Sequence, residues 1–125
     1  MVQSSPRETL DRKIRELLDD VLFLGSMVES STLEAVEALK TRDQAAARRI
    51  YAHDAQINEK RFQIENACLI IIATQQPIAR DLRILASVLE VNTELERMGD
   101  YAKGIARIAL EMGSQPPIKP LIDIP

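Results

Sequence analysis

The chain has 125 residues, a formal net charge of −3 and 46% hydrophobic residues, which is enough for one domain with its own core. The small negative charge gives no basic field for nucleic acid, and two Tyr, two Phe and no Trp offer little surface for stacking bases, so we do not expect nucleic-acid binding. Cys68 is the single cysteine, which excludes an intrachain disulfide and fits a reducing compartment.

Membrane insertion is not expected from the hydropathy pattern. The longest apolar run, Ala67 to Ala73, is far shorter than the ~20 residues that span a bilayer. The N-terminus, Met1 to Pro6, has no apolar signal region. We therefore expect a cytoplasmic protein that is peripheral to a membrane at most.

The first predicted helix runs from Arg7 to Lys40. Apolar and small residues recur at alternating steps of four and three, which is the spacing of a helix face that packs against other helices. Thr41 or Asp43 can cap the helix that follows. The predicted buried positions are Leu10, Ile14, Leu17, Val21, Leu24, Val28, Ser31, Ala35 and Ala38.

The second predicted helix runs from about Asp43 to Gln75. Two charged residues, Asp54 and Arg61, lie on its otherwise apolar face. Arg61 can bury its stem and keep its head in water, whereas Asp54 is too short and needs a partner, because an unpaired buried carboxylate is costly. The other positions of this face are Ala47, Ile50, Ile57, Ile64, Cys68 and Ile71.

The third predicted helix begins at Pro77 and ends near Met112, with Gly113 as its C-cap. Its predicted buried face is Ile84, Val88, Val91, Leu95, Met98, Ala102, Ile105 and Ala109. The neighbouring stripe starts apolar at Ile78, Leu82, Leu85 and Leu89 and becomes polar at Asn92, Glu96, Gly99 and Lys103.

The pattern predicts an all-α fold over residues 7–113. Each of the three helices has about 33 residues and is ~50 Å long, and the short connections make neighbours antiparallel, which gives an elongated antiparallel three-helix up-down-up bundle. Residues 114–125 (SQPPIKPLIDIP) predict a Pro-rich linker or tail, since they cannot continue a helix. Its apolar residues suggest that it docks on a further element or on another chain.

Two polar pairs predict a metal site. Glu96 and Asp100 are four residues apart on the third helix, about 5–6 Å at Cβ, and Asp54 and Asn58 have the same spacing on the second. A hairpin that turns near Gln76 would bring Asp54 level with residue 98 or 100. Four oxygen-bearing side chains at one level suit Mg, Mn, Fe or Zn.

Plainer interpretations of these residues stay open. Acid pairs at this spacing also occur by chance on solvated helix faces. His53 could add a nitrogen ligand, but it points about 100° away from Asp54 around the helix, so a surface histidine is the alternative.

Two segments of the chain stand out as sequence motifs. They are Gln75-Gln76-Pro77-Ile78-Ala79-Arg80-Asp81-Leu82-Arg83 and Leu95-Glu96-Arg97-Met98-Gly99-Asp100-Tyr101-Ala102-Lys103-Gly104-Ile105-Ala106. The first resembles the QQP-x-A-x-DLR element of the PhoU family, and the second resembles that family's LERIGD-x-A-x-x-I element, with Met98 in place of isoleucine. Asp54-x-x-x-Asn58 resembles the family's D-x-x-x-N/D pair on the preceding helix. The resemblance covers about residues 8 to 112.

This resemblance implies a three-helix repeat and a cytoplasmic accessory protein of phosphate uptake. It implies a negative regulator of the phosphate-starvation response that links a phosphate ABC transporter with a sensor histidine kinase. It also implies multinuclear metal at Glu96, Asp100, Asp54 and Asn58. PhoU proteins normally carry two repeats, so we expect either a fragment or a single repeat that forms a homodimer or higher oligomer, since a large apolar face rarely stays solvated.

Three functions compete at this point. The first is a non-enzymatic adaptor whose partner contact includes Arg80, Asp81 and Arg83, with helix capping as the alternative role of Asp81. The second is a di-metal carboxylate bundle enzyme, although the single histidine follows no glutamate three residues earlier and no nucleophile–base pair is evident. The third is a metal-free helical interaction module.

Overall fold

The computed structural model describes residues 5–113, which form three α-helices: α1 (Pro6–Thr41), α2 (Gln44–Thr74) and α3 (Ala79–Met112). Each helix packs against the other two. The predicted all-α three-helix bundle is confirmed, while the predicted tail at 114–125 lies outside the described residues. None of the three helices is both long and apolar enough to cross a membrane.

The connection between α1 and α2 is set by local caps. α1 begins with a capping box, in which Ser5 Oγ accepts from Glu8 N–H and the Glu8 carboxylate accepts from Ser5 N–H. Its C-cap is Arg42, whose backbone is left-handed with φ 59°. Asp43 then caps α2 by accepting from Ala46 N–H at 3.0 Å, so of the two predicted caps Asp43 is the one used.

The turn between α2 and α3 differs slightly from the prediction. α3 begins at Ala79 rather than at Pro77, because Gln76 adopts a left-handed conformation with φ 49° and Ile78 is still extended at the N-cap position. At the other end Gly113 has φ 70° and is the C-cap of α3, as predicted.

The core changes in character along the bundle. Near the α2–α3 turn it consists of branched side chains, including Leu17, Leu24, Ile57, Ile64 and Leu85. Towards the α1–α2 turn it consists largely of alanine, and the buried members are Ala35, Ala38, Ala47, Ile50, Ala102, Ala106 and Ala109. The small side chains leave room for close approach of the helices at this end.

The buried faces of α1 and α2 follow the prediction, with Val21 and Arg61 half-buried. The face predicted for α3 was partly wrong: Val91 and Met98 are 44% and 46% exposed. A Cβ placed on Gly99 would lie 3.5 Å from Ile57 Cγ2, so the small residue, not the adjacent methionine, lies against α2. The residues of α3 that are buried are Asp81, Leu85, Val88, Asn92, Gly99, Ala102, Ala106 and Ala109.

Candidate functional site

A line of polar side chains runs between α2 and α3 beside the core. We call it the polar stripe and define it as Asp54, Asn58, Arg61, Glu96, Asp100 and Lys103. It contains all four predicted metal ligands together with two cationic side chains.

Asp54 is the buried acid of the polar stripe, with 4% of its surface exposed. Its Oδ2 lies 3.4 Å from Lys103 Nζ and accepts a hydrogen bond of 3.1 Å from Asn58 Nδ2. The ammonium group also lies 4.9 Å from the centre of the Tyr51 ring. The expectation that a short acid on this face needs a partner is confirmed, and that partner is Lys103.

Arg61 links α2 to the acid motif of α3. Its guanidinium Nη1 lies 3.4 Å from Glu96 and 3.5 Å from Glu65, and the group stacks 4.3 Å from the Phe62 ring. Asn92 Nδ2 donates to the Arg61 carbonyl at 3.1 Å. The Nε of Arg61 and the Oδ1 of Asn92 are buried and have no partner among the described residues, so this part of the stripe keeps spare hydrogen-bonding capacity.

Asp100 lies at the open end of the stripe. It is exposed and borders a polar cavity of about 270 Å³ that Tyr51, Lys103, Gly104 and Arg107 also line. A carboxylate in this position is accessible to ions and small molecules from solvent.

The structure places the two predicted pairs on the same pair of helices, but it does not bring their four oxygen donors to one point. Asp54 pairs with Lys103, and Arg61 occupies one side of Glu96. Within residues 5–113 no three His, Cys, Asp or Glu side chains gather closely enough to hold an ion. The donor chemistry suits a hard cation, but here Lys103 pairs with Asp54 and Arg61 pairs with Glu96, and metal binding stays a prediction.

His53 does not join the polar stripe. It is half-buried and lines a different cavity, between α1 and α2, together with Arg49 and Ser30. The angular offset from Asp54 that the sequence indicated is therefore found in the structure.

The predicted partner-contact residues have separate roles. Asp81 is 1% exposed, accepts from Arg7 Nη1 and Nη2 at 2.7 and 2.8 Å, and accepts from Ile78 N–H at 3.1 Å. The Arg7 guanidinium is the main reason that the pKa of Asp81 is lowered. Asp81 thus caps α3 and is not available on the surface, whereas Arg80 and Arg83 are exposed.

Residues 21–109, which include the whole polar stripe, match the family model described as the PhoU domain. The chain belongs to the PhoU family. It is 41% identical to the phosphate-specific transport system accessory protein PhoU of Edwardsiella tarda over 95 aligned residues. The aligned region covers 76% of this chain and 39% of that protein.

Two further PhoU relatives give the same result. The protein of the same name from Escherichia coli (strain K12) is 37% identical over 103 residues, covering 82% of this chain and 43% of the relative. The PhoU homolog of Aquifex aeolicus (strain VF5) is 32% identical over 115 residues, covering 92% of this chain and 52% of the relative. The chain thus spans about half the length of these relatives or less. No solved structure is a significant match.

Two residues of this PhoU-family chain were missed as site residues by sequence reasoning. Lys103 was not predicted to pair with Asp54, although it shares a polar face of α3 with Glu96, which was predicted to lie close to Asp54 of α2. Arg7 was not assigned to Asp81, although parallel α1 and α3 place their first turns at the same end of the bundle.

Proposed function

We propose that this chain is an accessory regulator of phosphate uptake that acts without catalysis on the cytoplasmic side of a phosphate ABC transporter. In this proposal it links the transporter with a sensor histidine kinase and restrains the phosphate-starvation response. The observation that carries the proposal is the alignment of most of the chain with relatives named as accessory proteins of the phosphate-specific transport system.

The surface chemistry of the bundle supports an adaptor. On α1, Asp20 marks the side that faces α2, because it pairs with Lys60 of that helix. The opposite flank of α1 carries three exposed apolar side chains, Leu18, Leu22 and Val36. Val91 and Met98 are exposed on the flank of α3 opposite Glu96, which also faces α2. These two flanks border the groove between α1 and α3, and we call this surface the apolar face. Clustered exposed apolar side chains are typical of a protein-binding surface.

A second copy of the chain is the occupant that we propose for the apolar face. Two copies that pack through this face would cover apolar surface on both. The proposed assembly is therefore a homodimer or a higher oligomer built on the apolar face.

Cation binding is the second part of the proposal. Glu96, Asp100, Asp54 and Asn58 supply carboxylate and amide oxygens for Mg, Mn, Fe or Zn, in one or more ions. Glu96 and Asp100 are accessible from solvent, and a cation there would compete with Arg61 and Lys103 for the acids. A bound ion would supply a charge-neutralising link between α2 and α3.

Metal analysis of protein purified without chelator tests this part. We expect metal to accompany the wild type and to be lost from Asp100→Asn. Glu94→Gln is the matched control, because Glu94 is exposed on the same helix but pairs with Arg97 at 3.3 Å. Equal metal content in Asp100→Asn and the wild type would contradict the assignment.

Co-purification tests the accessory role. A tagged copy of the chain is expressed in a phosphate-replete host that lacks its own PhoU protein, and membrane extracts are recovered through the tag. We expect subunits of the phosphate transporter in the recovered fraction. Recovery no greater than from a host that expresses the tag alone would contradict the proposal.

A further inference from the structure

The α2–α3 hairpin ends in an exposed surface that is separate from the polar stripe and the apolar face. We call residues 66–83 the hairpin tip. Its first fourteen residues, 66–79 (NACLIIIATQQPIA), contain no charged side chain. Five large apolar side chains of the tip are between 38% and 59% exposed, and they are Leu69, Ile70, Ile72, Ile78 and Leu82.

The last turns of α2 are apolar on every side. Ile71 faces the core and is 4% exposed. Because successive helix residues are 100° apart, Leu69, Ile70 and Ile72 lie on three different sides of α2 around it, and all three are exposed. A helix that is apolar all round is normally covered by protein or lipid. The hairpin tip therefore has the composition of a surface that is buried in contact with something else.

Two arginines lie within the first two turns of α3, directly after the uncharged run. Arg80 and Arg83 are exposed, and neither makes an ion pair with a described residue. Asp81, which lies between them, is buried and already accepts two hydrogen bonds from Arg7. The guanidinium groups of Arg80 and Arg83 are thus available for an anionic partner.

The charge of the protein is distributed unevenly along the long axis of the bundle. The first turns of α1 lie at the same end as the hairpin tip, as the contact between Arg7 and Asp81 shows. Residues 5–15 and 66–83 together carry six Lys or Arg against three Asp or Glu, a net charge of +3, although the whole chain has −3. An anionic surface would therefore attract this end of the bundle and repel the remainder.

The arrangement of apolar and cationic groups matches a lipid surface, in which a layer of phosphates covers an apolar layer. Ile78 lies at the N-cap of α3, and Arg83 lies five residues later, about 7 Å further along the helix axis. Side chains of interfacial helices enter a membrane by a similar ~5–10 Å. Arg83 would thus be level with lipid phosphates when Ile78 is among the acyl chains.

We infer that the hairpin tip docks on an anionic lipid surface, with Ile78 and neighbouring apolar side chains inserted below the phosphates and with Arg80 and Arg83 paired to them. The contact is peripheral, because none of the three helices can cross a membrane. This assignment goes beyond the proposed accessory role and does not depend on it, since its test contains no transporter.

Flotation of the full chain with protein-free vesicles tests this inference. One set contains phosphatidylcholine alone, and the other contains about one-third phosphatidylglycerol. We expect binding to the anionic set at least about tenfold stronger than to the neutral set, and weaker binding as salt screens the charges. The double variant Arg80→Gln with Arg83→Gln should lose about tenfold or more, because each surface cation contributes about fivefold. Ile78→Gln should weaken binding several-fold.

Matched controls come from the opposite end of the bundle. Arg48→Gln with Arg49→Gln removes two exposed arginines of α2, and Ile108→Gln alters a 45% exposed isoleucine of α3. Both should bind anionic vesicles almost as the wild type does, and circular dichroism checks that every variant is folded. Equal losses in the two arginine pairs would assign the effect to overall charge and overturn the inference.

The composition of the vesicles supplies two further decisive results. Equal binding to neutral and anionic vesicles would overturn the inference, because the arginines would then have no role. Binding to vesicles made from host membranes but not to the protein-free anionic vesicles would assign the hairpin tip to a membrane protein and overturn the inference as well.

Discussion

Arg7 and Asp81 join the first turn of α1 to the first turn of α3 through two N–H···O hydrogen bonds of 2.7 and 2.8 Å. The same carboxylate accepts from Ile78 N–H, so one side chain both caps α3 and holds α1 beside it. This pairing is possible because the up-down-up order makes α1 and α3 parallel.

Asp81→Asn should lower the melting temperature by about 5 °C or more, because it removes the charge that both the Arg7 fork and the helix cap use. Thermal unfolding followed by circular dichroism measures the effect. Asp11→Asn is the control, since Asp11 also pairs with Arg7 at 2.8 Å but is exposed. Equal melting temperatures for the two variants would show that the buried position of Asp81 has no special weight.

The contribution of Asp81 should disappear in acid. Arg7 lowers the pKa of Asp81 in the folded state, so the ionised form is favoured by folding. Its stabilisation is therefore complete above the unfolded-state pKa of about 3.9 and is lost as the pH falls through the lower folded-state pKa. The difference in unfolding free energy between wild type and Asp81→Asn should be constant from about pH 5 to 7 and shrink below about pH 4. A difference that persists unchanged in strong acid would contradict this.

Lys103→Ala should lower the free energy of unfolding by about 1–2 kcal/mol, because it leaves the buried Asp54 carboxylate without its cation while Lys103 itself is partly exposed. Denaturant unfolding measures the loss. The double variant Asp54→Asn with Lys103→Ala should be more stable than Lys103→Ala alone, since it removes the unpaired charge. A double variant less stable than either single variant would indicate that the pair is not electrostatically coupled.

Leu22→Glu should dissociate the proposed homodimer, because it places a charge in the apolar face between α1 and α3. Sedimentation velocity should give a dimer or larger species for the wild type and a monomer for the variant. Leu69→Glu alters an equally apolar, exposed residue of α2 outside that face and should leave the assembly intact. A wild type that stays monomeric at high concentration would contradict the proposed assembly.

Much of the fold could be predicted because its signals are local. Asp43 and Gly113 are ordinary capping residues in the expected places, and the spacing of apolar residues on α1 and α2 gave their buried faces. These features depend on helix geometry alone and needed no knowledge of distant contacts.

The buried face of α3 was harder to predict because side-chain size opposed periodicity. Met98 and Val91 are more apolar than Gly99 and Asn92, yet the smaller pair lies towards the core, where α3 approaches α2 closely. Hydrophobicity favours one face and close approach of the helices favours the other, so only three-dimensional packing decides between them.

The polar stripe was predicted in position but not in its partners. Helix spacing placed Asp54 and Glu96 on adjoining helices, but equal rise per residue does not specify which long cationic side chain reaches which acid. Lys103 and Arg61 have long, flexible side chains, so their pairing depends on rotamers that the sequence does not encode locally.

The accessory role in phosphate uptake is tested most directly by a phosphate-starvation promoter reporter in phosphate-rich medium. The host lacks its own PhoU protein, so the reporter is active until a functional accessory protein is supplied. Expression of this chain should return the reporter to low activity. A reporter that stays fully active while immunoblotting shows the chain at normal abundance would contradict the account.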